Sequence, residues 1–171
     1  PEGAWYEEAV RYVRENDLME GTSSDSFEPA AELTRAMMAQ LLYNRAGRPD
    51  VSKNGVFDDV SGSRWYADAV AWAASEGIVN GVTESRFAPD QPITREQLAV
   101  MVYRYAGSPE GSDLTLQFSD ADEVSDYAAD AVRWAVSEGV INGNDDGTLN
   151  PAGNTTRAET AQLLMNYFSR R

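Results

Sequence analysis

The sequence predicts an all-α fold made of three tandem helix–loop–helix repeats. The first observation behind this prediction is a recurring segment, since residues 65–81 and 127–143 are identical at eleven of seventeen positions. Residues 5–21 fit the same frame with weaker identity. The second observation is the spacing of about 60 residues between the copies, a typical length for one unit of a repeat protein. Because such units cannot bury their apolar faces alone, we expect them to share one core.

A Thr-Arg pair marks the second half of each repeat. The recurring glycines Gly21, Gly81 and Gly143 each lie thirteen residues before such a pair. The pairs are Thr34-Arg35, Thr94-Arg95 and Thr156-Arg157. Stretches rich in Gly, Pro, Ser and Asp separate the repeats, and the first repeat lacks the opening motif of the other two. The predicted domains are residues 1–50, 51–110 and 111–171.

Apolar spacing and end signals predict two helices in each repeat. The first helix of the second repeat carries one apolar stripe at positions i, i+3, i+4 and i+7, formed by Tyr66, Ala69, Val70 and Ala73. Residues that tolerate a left-handed conformation follow each first helix; they are Asp17, Gly77 and Gly139. The second helices carry the stripes Met38/Leu41/Leu42, Leu98/Met101/Val102/Tyr105 and Leu163/Leu164/Tyr167.

The threonines of the Thr-Arg pairs are predicted helix caps. Thr94 with Gln97, and Thr156 with Glu159, match the capping box, in which two side chains satisfy two free amides reciprocally. Thr34 is followed by Met37, so the first repeat keeps the cap and loses the box. Such a cap contributes about 1 kcal/mol to helix stability.

Capping does not explain the arginines Arg35, Arg95 and Arg157. Each occupies the first helical position, where the helix dipole disfavours a cation by about 0.3–1 kcal/mol. Backbone amides at a helix start attract anions, and arginine binds carboxylates through two parallel hydrogen bonds. Two explanations follow: a salt bridge to an acidic residue of a neighbouring repeat, or the carboxylate of a ligand.

Two sets of aromatic residues recur in the repeats. Trp72 and Trp134 lie at helical spacing within the first helices, and we predict that they belong to the core. Trp5, Trp65 and Tyr127 stand at the start of the first helices, near the joints between repeats. An aromatic ring at a joint could stack on a sugar or pack in the core.

Composition excludes several functions. The formal net charge is −14, with 28 acidic and 14 basic residues, so we expect neither nucleic acid nor an anionic membrane as a partner. No apolar stretch is long enough for membrane insertion. The chain has no cysteine or histidine, which removes thiolate sites, histidine triads and HExxH metal sites. The residues 142–147 resemble a calcium loop in composition, but Gly153 replaces the glutamate of the twelfth position. We therefore predict no metal, no cofactor and no catalysis.

The ordered motifs resemble the S-layer homology repeat over almost the whole chain. In the second repeat they are Phe57-x-Asp59-Val60, Trp65, Gly77-x-x-x-Gly81, Phe87-x-Pro89 and Ile93-Thr94-Arg95. The third repeat carries the full Thr156-Arg157-Ala158-Glu159. Departures such as Met37, Glu96-Gln97, Leu149 and Thr155 predict three unequal grooves.

The resemblance implies a pseudo-threefold, three-pronged spindle around a central three-helix bundle, with grooves between the repeats. It also implies a non-catalytic module that is part of a larger surface protein on the bacterial cell surface. Its partner would be an anionic cell-wall polysaccharide, in particular one that carries pyruvylated N-acetylmannosamine.

The resemblance further implies which residues bind. Arg35, Arg95 and Arg157 would bind the pyruvate carboxylate, and the recurring glycines would let backbone amides approach the sugar. An aromatic residue of a neighbouring repeat and an acid, Asp59 or Asp120, would close each groove. Two alternatives stay open: a protein-interaction or lattice-forming module that binds no glycan, and a glycan hydrolase.

Overall fold

The computed structural model describes residues 3–23, 25–51, 55–110 and 112–170. The described residues form six α-helices, two short 3-10 turns and isolated β-bridges, without an extended strand. The helices are α1 (Glu7–Glu15), α2 (Arg35–Arg45), α3 (Ala67–Ser75), α4 (Arg95–Tyr105), α5 (Ala129–Ser137) and α6 (Arg157–Phe168). The 3-10 turns, Ala121–Glu123 and Asp126–Ala128, precede α5. The predicted all-α class is confirmed.

The local signals act at the helix ends as predicted. The side chains of Thr94 and Thr156 form capping boxes with Gln97 and Glu159. Thr34 accepts a single hydrogen bond from the amide of Met37 at 3.3 Å. The predicted left-handed residues Asp17, Gly77 and Gly139 have φ values of 53°, 70° and 64°, which ends each first helix sharply.

Three short segments before α2, α4 and α6 meet in a closed ring of hydrogen bonds. The amide of Leu33 donates to the carbonyl oxygen of Thr155 at 2.9 Å, and the amide of Thr155 donates to that of Ile93 at 3.1 Å. The amide of Ile93 closes the ring on the carbonyl oxygen of Leu33 at 2.9 Å. All three residues are buried. This ring gives the chain its threefold arrangement and requires all three repeats.

The helices that pack closely come from different repeats. The outer helix α3 packs on α2 of the preceding repeat, α5 packs on α4, and α1 closes the circle on α6. The sequence predicts a shared core, but it does not indicate this exchange of outer helices, in which the first helix of each repeat packs on the second helix of another repeat. Each prong of the molecule is therefore built by two repeats.

Aromatic side chains link the far ends of the helices in one core. Trp72 and Trp134 are 7% and 4% exposed, which confirms the prediction that they are core residues. The ring of Trp72 lies 5.6 Å from that of Tyr43, and Trp134 lies 5.7 Å from Tyr167. Among the described residues, nearly all of the buried apolar side chains belong to one cluster.

Candidate functional site: the grooves between repeats

The first amides of α2, α4 and α6 are not open to an anion. In α2 the amides of Arg35 and Ala36 donate to the carbonyl oxygens of Gln91 and Pro89, which belong to the next repeat. The equivalent amides of α4 and α6 donate to carbonyls of the loops at 151–153 and 29–31. The expectation of free amides beside the arginines is therefore wrong, because each helix start is covered by the following repeat.

The three arginines bind backbone carbonyls. Each Nε donates to the loop of the next repeat: Arg35 to Phe87 at 2.9 Å, Arg95 to Leu149 at 2.7 Å and Arg157 to Phe27 at 2.8 Å. The ion pairs within the described part of the chain are Arg11–Glu7, Arg86–Asp59 and Arg133–Asp130. The salt-bridge explanation is therefore wrong, and the arginines connect repeats through neutral acceptors.

The remaining guanidinium contacts differ among the three copies. The Nη2 atoms of Arg95 and Arg157 donate to the carbonyls of Asn142 and Glu20, the residues before the recurring glycines. Arg35 instead donates Nη1 to the side chain of Gln97 at 3.5 Å. Burial lowers the pKa of all three guanidiniums, but arginine stays charged at neutral pH. Each keeps its positive charge and forms no ion pair within the described residues, although the acids Asp59, Glu159 and Glu28 interact with Arg35, Arg95 and Arg157 at longer range.

Two of the arginines also stack on an aromatic ring. The guanidinium carbon of Arg35 lies 4.8 Å from the ring centroid of Phe87, and that of Arg157 lies 4.6 Å from Phe27. The third repeat has Leu149 in this position, so Arg95 lacks this contact. Such cation–π contacts contribute about 0.5–2 kcal/mol, and they fix the plane of the guanidinium against the groove wall.

Asp59 and Asp120 are bound to the backbone of their own repeats. Asp59 accepts from the amides of Phe87 and Ala88, both at 2.8 Å. Asp120 accepts from the amides of Leu149 and Asn150 at 2.8 and 2.7 Å. Both carboxylate oxygens of each aspartate thus accept hydrogen bonds from backbone amides. Asp59 and Asp120 thereby hold the loops to which Arg35 and Arg95 donate. A role for them in closing a groove stays a prediction.

The same peptide group joins the aspartate and the arginine. The peptide between Phe87 and Ala88 donates its N–H to Asp59 and accepts from Arg35 at its carbonyl. Ala88 has a φ of 56°, a strained conformation for a residue other than glycine. The charges on either side of the peptide dipole stabilise this orientation. The arrangement is repeated with Asp120, Asn150 and Arg95.

A cavity of about 440 Å³ brings together residues of all three repeats. Its lining includes Arg35 of the first repeat, Gly81 of the second and Tyr127 of the third. We call it the Arg35 groove. The amides of Asn80 and Gly81 have no hydrogen-bond acceptor in the described part of the chain. The groove therefore offers a cation, an aromatic side chain and two amide donors.

A second cavity, of about 600 Å³, repeats this combination. It is lined by Arg157 of the third repeat, Gly21 of the first and Trp65 of the second. We call it the Arg157 groove. Trp65 is 60% exposed and Tyr127 is 59% exposed, so both keep a large surface for a ligand. The sequence motifs of three different repeats thus meet in each groove.

The third set of predicted residues is only partly connected. Arg95 binds the carbonyl of Asn142 at 3.0 Å, directly before Gly143. Trp5 is 63% exposed and contacts Tyr6 edge-on, with ring centroids 5.3 Å apart. Its place beside Arg95 and Gly143 stays a prediction that follows from the repeat pattern.

The recurring glycines have a packing role as well. A Cβ atom on Gly81 would meet the carbonyl oxygens of Thr83 and Arg86 and the ring of Phe57, and its φ is 77°. A Cβ atom on Gly143 would overlap the ring of Phe118. These glycines are thus required by close packing in the protein, independently of any sugar.

Glu96 is a site residue that the sequence analysis did not identify. Its carboxylate is buried and accepts from the hydroxyl of Tyr127 at 3.1 Å and from the amide and hydroxyl of Ser125. Burial, followed by the charge of Glu96, raises the pKa of Tyr127 to about 12. Glu96 stands where the third repeat has Ala158, and Tyr127 stands where the other repeats have Trp5 and Trp65. The two residues interact, and a comparison of both positions among the repeats would have suggested this pair.

The family model described as S-layer homology domain matches residues 1–39, 56–99 and 117–161. Within the described residues, no helix combines the length and the apolar character needed to span a bilayer, and no cluster of acidic residues is arranged to hold a metal.

Several curated proteins are similar along nearly the whole chain. An endoglucanase of Bacillus sp. strain KSM-635 is 32% identical over 94% of the chain, which spans 17% of that enzyme. The surface-layer 125 kDa protein of Lysinibacillus sphaericus is 33% identical over 92% of the chain, which spans 13% of that protein. A cellulosome-anchoring protein of Acetivibrio thermocellus is 27% identical over 90%, and the chain spans 36% of it. The chain thus spans a small part of each relative.

Proposed function

Because the chain belongs to the S-layer homology family, we propose that it anchors the protein that contains it to the bacterial cell wall. The anchor is non-catalytic and works outside the cell. Its partner is an anionic wall polysaccharide with a carboxylated sugar of the pyruvylated N-acetylmannosamine type. The relatives support an anchoring role, because an enzyme, a surface-layer protein and an anchoring protein all contain a segment similar to this chain.

One observation carries the proposal: in two grooves, an arginine, a glycine and an exposed aromatic residue from three different repeats line the same cavity. The aromatic ring stacks on the apolar face of a sugar. The guanidinium attracts the carboxylate, and in the Arg35 groove unpaired backbone amides bind its oxygens or the sugar hydroxyls. These are the ligand features that a pyruvate ketal on a hexosamine offers together.

The arginines have donors left for this task. A guanidinium has five N–H groups, and Arg35 uses two of them, on Phe87 and Gln97. Arg157 also uses two, on Phe27 and Glu20. The neutral carbonyls hold each guanidinium in place without cancelling its charge, so little conformational entropy is lost when a carboxylate binds.

Calorimetric titration with the methyl glycoside of pyruvylated N-acetylmannosamine tests the proposal. We expect binding to the unmodified protein, and we expect R35A and R157A each to weaken binding in its own groove about tenfold or more, since a hydrogen bond to a charged group contributes about 1.5–3 kcal/mol. R133A is the matched control, because Arg133 pairs with Asp130 outside both grooves.

A second variant separates binding from folding. The arginines connect repeats, so their loss also weakens the fold, whereas Trp65 is mostly exposed and W65A should keep the melting temperature. Weaker binding by W65A with an unchanged melting curve would support the groove. Absence of binding by the unmodified protein, together with concentration-dependent self-association, would favour the lattice-forming alternative. Release of sugar products would favour a hydrolase.

A further inference from the structure

The two grooves differ in charge. The described lining of the Arg35 groove has two arginines, Arg35 and Arg104, and no carboxylate. The lining of the Arg157 groove also has two arginines, Arg157 and Arg48, together with the two acids Glu20 and Asp68. The net formal charges are therefore +2 and 0. In a chain with a net charge of −14, a cavity with two arginines and no acid is a local exception.

The positive charge of Arg104 is not required by the hydrogen bond that this residue makes to the rest of the fold. Its Nη1 donates to the carbonyl oxygen of Ile78 at a long distance of 3.4 Å. The equivalent residue of the first repeat is Asn44, whose side-chain amide donates to the equivalent carbonyl, that of Leu18, at 3.3 Å. A neutral asparagine thus makes the same structural contact, so the positive charge of Arg104 is not needed for that contact.

Arg104 lies where its positive charge can act on a ligand in the groove. It lines the cavity with Arg35 and with Asn80 and Gly81, whose amides are unpaired in the described part of the chain. Glu96 lies outside the lining, where its carboxylate accepts hydrogen bonds from Ser125 and Tyr127. The charged side chains that line the cavity itself are the two guanidiniums, so the groove wall presents positive charge to a ligand.

We propose that the Arg35 groove is the primary site for the acidic group of the wall saccharide, and that Arg104 is the specificity-determining residue that makes it so. This inference rests on the proposed function and extends it. At the position of Arg104 the Arg157 groove has the neutral Asn44, and its two acids, Glu20 and Asp68, offset the charges of Arg157 and Arg48. The affinities of the two grooves for the same anionic sugar are therefore unequal.

The test follows each groove separately by NMR. The methyl glycoside of pyruvylated N-acetylmannosamine is titrated into ¹⁵N-labelled protein, and the amide signals of Gly81 and Gly21 report on the two grooves. We expect Gly81 to saturate at a lower concentration than Gly21. R104N should weaken the Gly81 response by about 10- to 100-fold, since a charge-assisted bond is lost, and it should leave the Gly21 response unchanged.

Reciprocal variants and a neutral probe complete the experiment. N44R should strengthen the Gly21 response, R104K should retain part of the Gly81 affinity, and the methyl ester of the same sugar should bind weakly to both grooves. R104N should melt like the unmodified protein, because asparagine makes the equivalent contact in the first repeat.

The outcomes distinguish the two proposals. If neither glycine amide responds in the unmodified protein, the anchoring proposal fails and this inference fails with it. If binding occurs but R104N retains the affinity at Gly81, or Gly21 saturates first, only the assignment of Arg104 and the Arg35 groove is overturned. Equal binding of the neutral ester would overturn this assignment, and with it the part of the proposed function in which the arginines bind a carboxylate.

Discussion

Replacement of Asp59 by alanine should destabilise the contact between two repeats, although Asp59 lies within one of them. Its carboxylate accepts from the amides of Phe87 and Ala88. The carbonyl of this same peptide accepts from Arg35 of the first repeat. Without the carboxylate, the strained φ of Ala88 is no longer stabilised, and the acceptor of Arg35 is free to rotate away.

The magnitude follows from the two hydrogen bonds. Each contributes about 1.5–3 kcal/mol when one partner is charged. The Asp59 side chain is 21% exposed, so water recovers part of this, and we expect a loss of about 2–4 kcal/mol. For a chain of this size, 1 kcal/mol corresponds to about 2–4 °C in melting temperature. D59A should therefore melt about 5–15 °C below the unmodified protein.

The pH dependence adds a second criterion. Burial alone would raise the pKa of Asp59, but the hydrogen bonds from Phe87 and Ala88, with help from Arg86, outweigh burial and lower it. A carboxyl group with a lowered folded-state pKa stabilises the fold above its unfolded pKa. That stabilisation is lost as the pH falls through the folded value. The difference between D59A and the unmodified protein should therefore shrink below about pH 4.

Thermal melts by circular dichroism at pH 7 and pH 2.5 measure both effects. D145A is the control, because Asp145 is exposed and its replacement changes the net charge equally. The reasoning is refuted if D59A melts like D145A at pH 7, or if its deficit is as large at pH 2.5 as at pH 7.

Three further predictions address single contacts. The buried hydroxyl of Thr160 has no hydrogen-bond partner in the described part of the chain, so T160V should raise the melting temperature by about 2–4 °C; an unchanged or lower value would contradict this. G143A should destabilise by about 1–3 kcal/mol in chemical denaturation because its Cβ overlaps the ring of Phe118, and the double variant with F118L should recover part of the loss. E96Q should lower the pKa of Tyr127 from about 12 without restoring its ordinary value, since burial remains; absorbance at 295 nm against pH measures this, and an unchanged titration would exclude the charge of Glu96 as a cause.

The sequence predicts those parts of the fold that depend on neighbouring residues. Helix caps and left-handed helix ends involve residues three to five positions apart, so the signals of Thr94 with Gln97 and of Gly77 appear directly in the sequence. The apolar stripes likewise predict which residues are buried. The arginines, glycines and aromatic residues are identified by their recurrence, and two sets of them indeed line common cavities.

Contacts between repeats could not be predicted in this way. The Nε atoms of Arg35 and Arg157 donate to backbone carbonyls. Every residue type has the same backbone carbonyl, so the sequence does not indicate which residue is the acceptor. A repeat pattern also does not distinguish a contact within one repeat from the equivalent contact with the next repeat. For this reason the exchange of outer helices, with α1 on α6, had to come from the structure. The charge of Arg104 was visible beside Asn44 in the aligned repeats, but its place in a groove was not.

Helix electrostatics disfavours an arginine at a helix start, yet each of the three arginines lies at one. The contact of each helix start with the next repeat explains this position. The carbonyls of Pro89 and Gln91 cover the first amides of α2, and that of Phe87 lies beside them. These oxygens compensate the positive end of the helix dipole and leave a local surplus of negative partial charge. A cation is then favourable at Arg35. Because the carbonyls are dipoles without net charge, their field falls off faster with distance than that of the guanidinium. At the distance of a ligand in the groove the positive charge dominates, so one arginine can connect two repeats and still attract an anion.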